Sequence, residues 1–267
     1  MVERTFTAVV DSNAANPANW LPTGTPERGD DLRWVDGGTM DVAGNALAGD
    51  TIRLGGSDGS PEDFVMNVSG RSRFNEEAVF PPIGVGSITV NLADQSRWVG
   101  GFRSNLAGGV FITGDGKFAN KDSLSAAKSV VDVDVVGHGS FRVSSAQSLP
   151  GEMEFGKSVS RGQSVTVGGD SGRGVHASLL VDHPDDYHAK TLLGFGEVTF
   201  AGLTADSFSI KNDMLLLYSG SKVAERFDLT LEPDQGARNF GVSQTAAGIV
   251  VHADNYFETG TPLPTHG

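Results

Sequence analysis

The chain contains no cysteine. Disulfides, thiolate metal sites and thiol catalysis are therefore excluded, and stability has to come from burial and backbone hydrogen bonding. No run of lysine or arginine interrupts a formal charge of −13, which disfavours nucleic-acid binding, because phosphate contacts need a basic face. The charge suits solubility outside the cell, weak cation binding, or plain self-repulsion against precipitation. No apolar stretch approaches the ~18 residues of a transmembrane segment. The opening Met1-Val2-Glu3-Arg4-Thr5-Phe6 lacks a basic region followed by an apolar one, so no N-terminal signal peptide is visible. Either a signal was removed, or export uses another route, or the protein stays inside the cell. Prolines number only 11 and no tract is of low complexity, which argues against collagen and disorder. A phosphate-binding Gly-x-x-x-x-Gly-Lys-Ser/Thr loop and a Gly-x-Ser-x-Gly nucleophile elbow are also missing.

What the chain does have is glycine, 36 in 267 residues. One glycine phrase recurs: Gly84-Val85-Gly86-Ser87-Ile88, Gly114-Asp115-Gly116-Lys117-Phe118, Gly137-His138-Gly139-Ser140-Phe141 and Gly194-Phe195-Gly196-Glu197-Val198. Each copy reads as a tight turn leading into an apolar strand residue, because glycine tolerates positive φ and close backbone approach. The spacings of 30, 23 and 57 residues fit stacked coils of roughly 20 to 30 residues, provided some coils lack the phrase. Between the copies short strands follow one another, many alternating as in Ile88, Val90 and Leu92 or Val131, Val133 and Val135, with one buried face and one wet face. The only helix candidate is the short segment Asp122 to Ser129. These features predict an all-β, single-stranded β-solenoid of the right-handed parallel β-helix type. Its expected parts are an N-terminal cap over residues 1–35, solenoid coils over 36–199, a closing β unit over 200–255 and a tail over 256–267, in one cooperative domain.

Two segments carry a resemblance. Asn16-Pro17-Ala18-Asn19-Trp20, Gly24, Pro26 and Gly29-Asp30-Asp31 resemble the segment before the first β-helix coil in bacterial surface proteins of the autotransporter-passenger and adhesin kind. The C-terminal stretch Met214-Leu215-Leu216-Leu217-Tyr218-Ser219-Gly220, followed by Phe227 to Leu231 and by Phe240-Gly241-Val242, looks like a closing unit of secreted proteobacterial β-solenoid proteins. There a Leu-Tyr-x-Gly hairpin leads to a Phe-x-Val strand. The first match covers about 20 residues and the second about 40. Together they imply an extracellular or cell-surface protein, and they bring no catalytic residues with them.

Candidate chemistry is sparse. Asp132 and Asp134 flank Val133 and are expected on one face of a strand, about 6.6 Å apart at a rise of ~3.3 Å per residue. Paired carboxylates at that separation suit acid–base hydrolysis. With Gly137-His138-Gly139 and Arg142 the segment resembles the polygalacturonases, which are right-handed β-helices; catalysis would then fall to Asp132, Asp134, His138 and Arg142. The pattern departs from that family. There the paired aspartates stand about one coil before the Gly-His-Gly, where this chain offers a single Asp115, and Ile210-Lys211 lacks the preceding arginine. His138 also fills the variable slot of the repeated phrase. The alternative is a set of solvated charges on an outward face.

Asp182, His183, Asp185, Asp186 and His188 concentrate metal-ligand chemistries, although Pro184 makes the stretch a loop without an established ligand spacing. Calcium is a candidate ligand through loop oxygens at Asp30-Asp31, Asp58 and Glu62-Asp63, and Gly168-Gly169-Asp170-Ser171-Gly172 resembles a single calcium nonapeptide. No other cofactor is implied. Trp20, Trp34 and Trp98 would stack on sugars if exposed, and would otherwise be core. Met214 to Tyr218 is apolar on both faces of its strand, so Met214, Leu216 and Tyr218 need a cover if Leu215 and Leu217 point inward. Tyr256 and Phe257 of the tail, or a second subunit, would provide it. The reading is a non-catalytic structural or adhesive surface protein that assembles into a homo-oligomer or polymer. A module that binds or degrades polysaccharide, or a virion fibre or decoration protein, stands as the alternative.

Overall fold

The structure is a computed structural model that describes residues 2–27, 29–44, 47, 51–55, 62–70, 73–74, 77–79, 85–103, 109–126, 128–144, 150–168, 175–232, 240–253 and 261–266. Gly84, Asp58, residues 169–174, Tyr256 and Phe257 lie outside these. The strands in chain order begin with β1 (Glu3–Phe6), β2 (Trp20–Leu21), β3 (Asp31–Trp34), β4 (Gly38–Ala43), β5 (Thr51–Leu54), β6 (Glu62–Ser69), β7 (Arg73–Phe74) and β8 (Glu77–Val79). They continue with β9 (Val85–Leu92), β10 (Arg97–Arg103), β11 (Gly109–Ala126), β12 (Lys128–Gly137), β13 (Ser140–Ser144), β14 (Gly151–Phe155), β15 (Ser164–Gly168) and β16 (Ala177–Val181). The last are β17 (Lys190–Leu193), β18 (Gly196–Ala201), β19 (Ser207–Lys211), β20 (Met214–Ser219), β21 (Lys222–Leu231), β22 (Phe240–Gln244), β23 (Gly248–Ala253) and β24 (Thr261–Pro262). Helical backbone is limited among the described residues to two three-residue 3-10 turns, Pro17–Asn19 and Pro184–Asp186. The expected helix over 122–129 is absent: Ser123 to Ala126 run on as strand, in parallel register with Ser140 to Val143.

Parallel pairing stacks these strands into three faces of a β-solenoid. The first face is built from β4, β6, β9, the start of β11, the start of β12, β14, β16 and β18. The second holds β7, the start of β10, the middle of β11 and the end of β12, and then thins to single bridges at Val159 and Tyr187. The third runs through β1, β3, β5, β8, the ends of β10 and β11, β13, β15, β17 and the end of β21. One coil of chain therefore crosses each face once. Measured on the first face, coil length varies from 26 residues, Asp41 to Asn67, to 19, Phe111 to Val130.

The glycine phrases mark the corners of these coils. Gly114 to Phe118 bends β11 from the first face to the second, Gly137 to Phe141 takes the chain from the second to the third, and Gly194 to Val198 returns it to the first. The copies thus fall at different corners and not at one repeated position, which is why their spacings are so uneven. At Gly114 φ is +117°, and a Cβ there would run into the Leu92 carbonyl of the coil below. Only glycine meets both demands.

Inside, alternation delivers apolar side chains to one continuous core. Aromatic rings step up the axis edge-to-face, Phe118 to Phe141 at 6.1 Å, Phe141 to Phe155 at 5.0 Å and Tyr187 to Phe200 at 6.2 Å, an arrangement that ring quadrupoles favour. All three tryptophans lie in this core at 1% exposure or less, so none is a sugar platform.

Both ends are closed. At the N-terminal end β2 runs antiparallel along β1, while Ser12 to Ala14 bond to Asp41 at the edge of β4. Asn19 is fully buried there; its amide oxygen accepts from the Val10 and Asp11 backbone N–H groups, and its amide nitrogen donates to Asp11 and to the Asn13 carbonyl. Trp20 Nε1 donates to the Ala14 carbonyl, so the Asn-Trp pair knots the cap. At the C-terminal end the pairing turns antiparallel, with β23 covering β18 and β19, β20 and β21 forming a meander. Such covers pair strand edges that would otherwise template further pairing.

Candidate functional site

Outward positions on the first face line up rung over rung. One row reads Val65, Thr89, Phe111, Val130, Glu154, Leu180 and Thr199, all half-buried. A second row is a polar ladder in its N-terminal half: Ser12 donates to Asp41, Asn67 Nδ2 donates to Asp41 Oδ1 at 2.7 Å, Asn91 Nδ2 to Asn67 Oδ1 at 2.7 Å, and Thr113 Oγ1 to Asn91 Oδ1 at 2.9 Å. Identical spacing of parallel strands, ~4.8 Å, sets amide over amide. Further along, this row becomes Asp132, Gly156 and Asp182, and the bonded ladder gives way to carboxylates. The third row carries Lys128, Glu152, Ser178 and Glu197.

Across β12, β14, β16 and β18 the first and third rows enclose a groove of about 360 Å³. Val130 and Leu180 give it apolar floor, Glu152, Glu154 and Glu197 line it, and Ala247 from the β22–β23 turn also lines it. Glu154 stands in register between Val130 and Leu180. Burial there raises its carboxyl above the usual glutamate value; the adjacent Asp182, which hydrogen-bonds it, and Asp132 raise it further, against a smaller opposing pull from Lys128. Lys128 itself reaches only 3.9 Å from Glu152, with both side chains more than half exposed.

The sequence-predicted residues do not converge on one site. Asp132 pairs in register with Thr113 on the first face, whereas Asp134 pairs with Lys117 on the second, because β12 turns the corner between them. The two aspartates thus flank buried Val133 on the outer side of β12 but stand in register with different faces. Asp134 accepts from Ser158 Oγ at 2.6 Å. His138 is exposed in the turn between β12 and β13, and Arg142 points outward from the third face, in register with Ser125 and Thr166.

His183, Asp185, Asp186 and His188 are exposed around the second 3-10 turn, while Asp182 leans toward Glu154. Among the described residues no three histidine or carboxylate side chains gather as a metal site. Asp30, a calcium candidate, is already engaged: it accepts from Arg4 Nε at 2.6 Å and from the Val2 and Glu27 N–H groups, and these bonds lower its carboxyl to about 2. Asp63 accepts from Ser87 Oγ.

On β20, Leu215 and Leu217 point into the core and Met214 and Leu216 stay half-buried on the outer side. Tyr218 is covered by the chain's own end: its ring stacks on His266 at 3.8 Å, and its hydroxyl bonds Ser209. The tail is held there by the Phe208 N–H bond to Pro264 and the His266 N–H bond to Phe208.

Sequence reading missed Phe111, Glu152, Glu154, Ser178, Glu197 and Thr199 as neighbours. Their signal lay in the outward positions of successive coils, but with coil length varying between 19 and 26 residues no fixed period superimposes them. The chain matches no known protein family, no curated protein and no solved structure.

Proposed function

We propose that this protein is a non-catalytic adhesive β-solenoid, borne on a bacterial surface or released outside the cell, that holds an extended polysaccharide along the outer side of its first face. The observation that carries the reading is the groove across β12, β14, β16 and β18. Its floor strands are interior to the sheet, each paired on both sides, so no backbone edge is free for a peptide to add as a further strand. A ligand meets carboxylates, the hydroxyls of Ser178 and Thr199, and small apolar patches there. Polar groups set around an apolar floor are what a polyhydroxylated chain with apolar ring faces requires.

Holding without cleaving fits the carboxylates. Asp132 and Asp134, the pair spaced for acid–base hydrolysis, stand in register with different faces of the solenoid. Affinity electrophoresis through gels loaded with neutral, acidic and amine-bearing polysaccharides tests the proposal, with new reducing ends assayed in parallel. Retardation in at least one gel without new reducing ends is expected. Free migration in every gel would overturn binding, and released ends that vanish in Asp132→Asn and Glu154→Gln variants would overturn the absence of catalysis.

Side-by-side assembly through β20 is a second reading, favoured by the half-exposed Met214 and Leu216. With Tyr218 covered by His266, two side chains remain for the contact, worth roughly 1.5 to 3 kcal/mol each. That supports weak association, reinforced only where contacts repeat along an assembly.

A further inference from the structure

We infer that the groove selects a cationic polysaccharide, a linear chain of amino sugars with free amines; the inference deepens the binding reading above and rests on it. Three carboxylates, Glu152, Glu154 and Glu197, line the groove against a single cation, Lys128. Asp132 and Asp182 of the second row stand close enough to Glu154 to raise its carboxyl, which adds negative charge beside the groove. An ionised anionic chain would meet repulsion here. A neutral one would leave this field unanswered, and a protonated amine answers it. The net charge of −13 adds long-range attraction of the same sign.

The apolar half of the match lies on the same strip. Val130 and Leu180 floor the groove, and one rung toward the N-terminus stands Phe111, in register with Val130. A Cβ at Gly109 would collide with the Phe111 ring. The ring therefore lies along its own strand over that glycine, half-exposed, in a posture that leaves a surface for a pyranose. Glu152 and Glu197 sit two rungs apart in the third row, ~9.6 Å at the spacing of parallel strands. A chain lying along the solenoid axis can thus place its rings on Phe111, Val130 and Leu180 and its amines against Glu152 and Glu197. A basic peptide would satisfy the charge but would find no backbone partner.

Calorimetry at pH 6 compares three ligands of equal length, a fully deacetylated hexosamine oligomer, its N-acetylated counterpart and a lysine oligomer. The deacetylated oligomer is expected to bind at least about tenfold more tightly than the other two, since several partly exposed ion pairs act together. The preference over the acetylated form should collapse in Glu152→Gln/Glu197→Gln, and Phe111→Ala should weaken both sugars. Equal or tighter binding of the acetylated oligomer would overturn the charge selection while leaving a polysaccharide groove intact. A lysine oligomer bound as tightly as the amino sugar would overturn the sugar class. Persistence of the preference in the double variant, with the circular dichroism unchanged, would remove the site from this groove. Retention of a neutral polysaccharide in gels without binding of either hexosamine would overturn this inference alone, and no retention of any polysaccharide would overturn both readings.

Discussion

At the scale of single residues, two carboxylates have opposite environments and opposite pH signatures. Asp30 is held down to about 2 by Arg4 and two backbone donors, so its stabilising contribution is present above about pH 4 and is lost as pH falls through 2. Asp30→Asn should lower the melting temperature at pH 7 and flatten the acid loss between pH 4 and 2; an unchanged acid limb would contradict the assignment. Glu154 is raised, so its favourable contribution is complete below the ordinary glutamate value of 4.5 and is lost as pH rises through its higher folded value. Glu154→Gln should therefore melt higher than the wild type at pH 7 and no higher at pH 4, by scanning calorimetry. A variant less stable at pH 7 would show that the carboxylate is supported rather than strained. Neither environment was legible in the sequence. Asp30 stood out only as part of a Gly-Asp-Asp turn, and Glu154 becomes unusual only when Val130 and Asp182 are brought from other coils.

At the scale of elements, strands were legible wherever apolar residues alternate, as in β12 with Val131, Val133 and Val135 buried. The corners were legible as glycine pairs, but their phase was not, because three kinds of corner use the same phrase. Two glycines separate the requirements. Gly114→Ala should destabilise by about 2 kcal/mol or more, since positive φ and the Leu92 carbonyl both oppose a side chain. Gly220→Asn should be nearly neutral, because its φ of +59° suits asparagine and nothing lies within 4 Å of a Cβ there. Denaturant midpoints check both, and equal losses would refute the corner argument. On β20, light scattering should show weak, concentration-dependent association that Leu216→Glu abolishes. Association that survives this substitution would place the contact elsewhere, and a wild type that stays monomeric at all concentrations would remove the assembly reading.

At the scale of the molecule, the all-β stacked architecture was readable because glycine corners and alternating strands recur all along the chain. The groove was not, because it is a property of four rungs with unequal connections. Circular dichroism should report a β protein with far less helix than the quarter to third of residues common in globular domains. Under the proposed function, ligand is held in this groove on the first face. Ser178 lies in the third row between Glu152 and Glu197 and lines the groove, so a tryptophan there would fill it without entering the core. The most direct measurement is the retention of Ser178→Trp and of the wild type on the polysaccharide gel that retards the wild type most. The account predicts loss of retardation in the variant with an unchanged circular dichroism spectrum and melting temperature; undiminished retardation by that equally folded variant would contradict it.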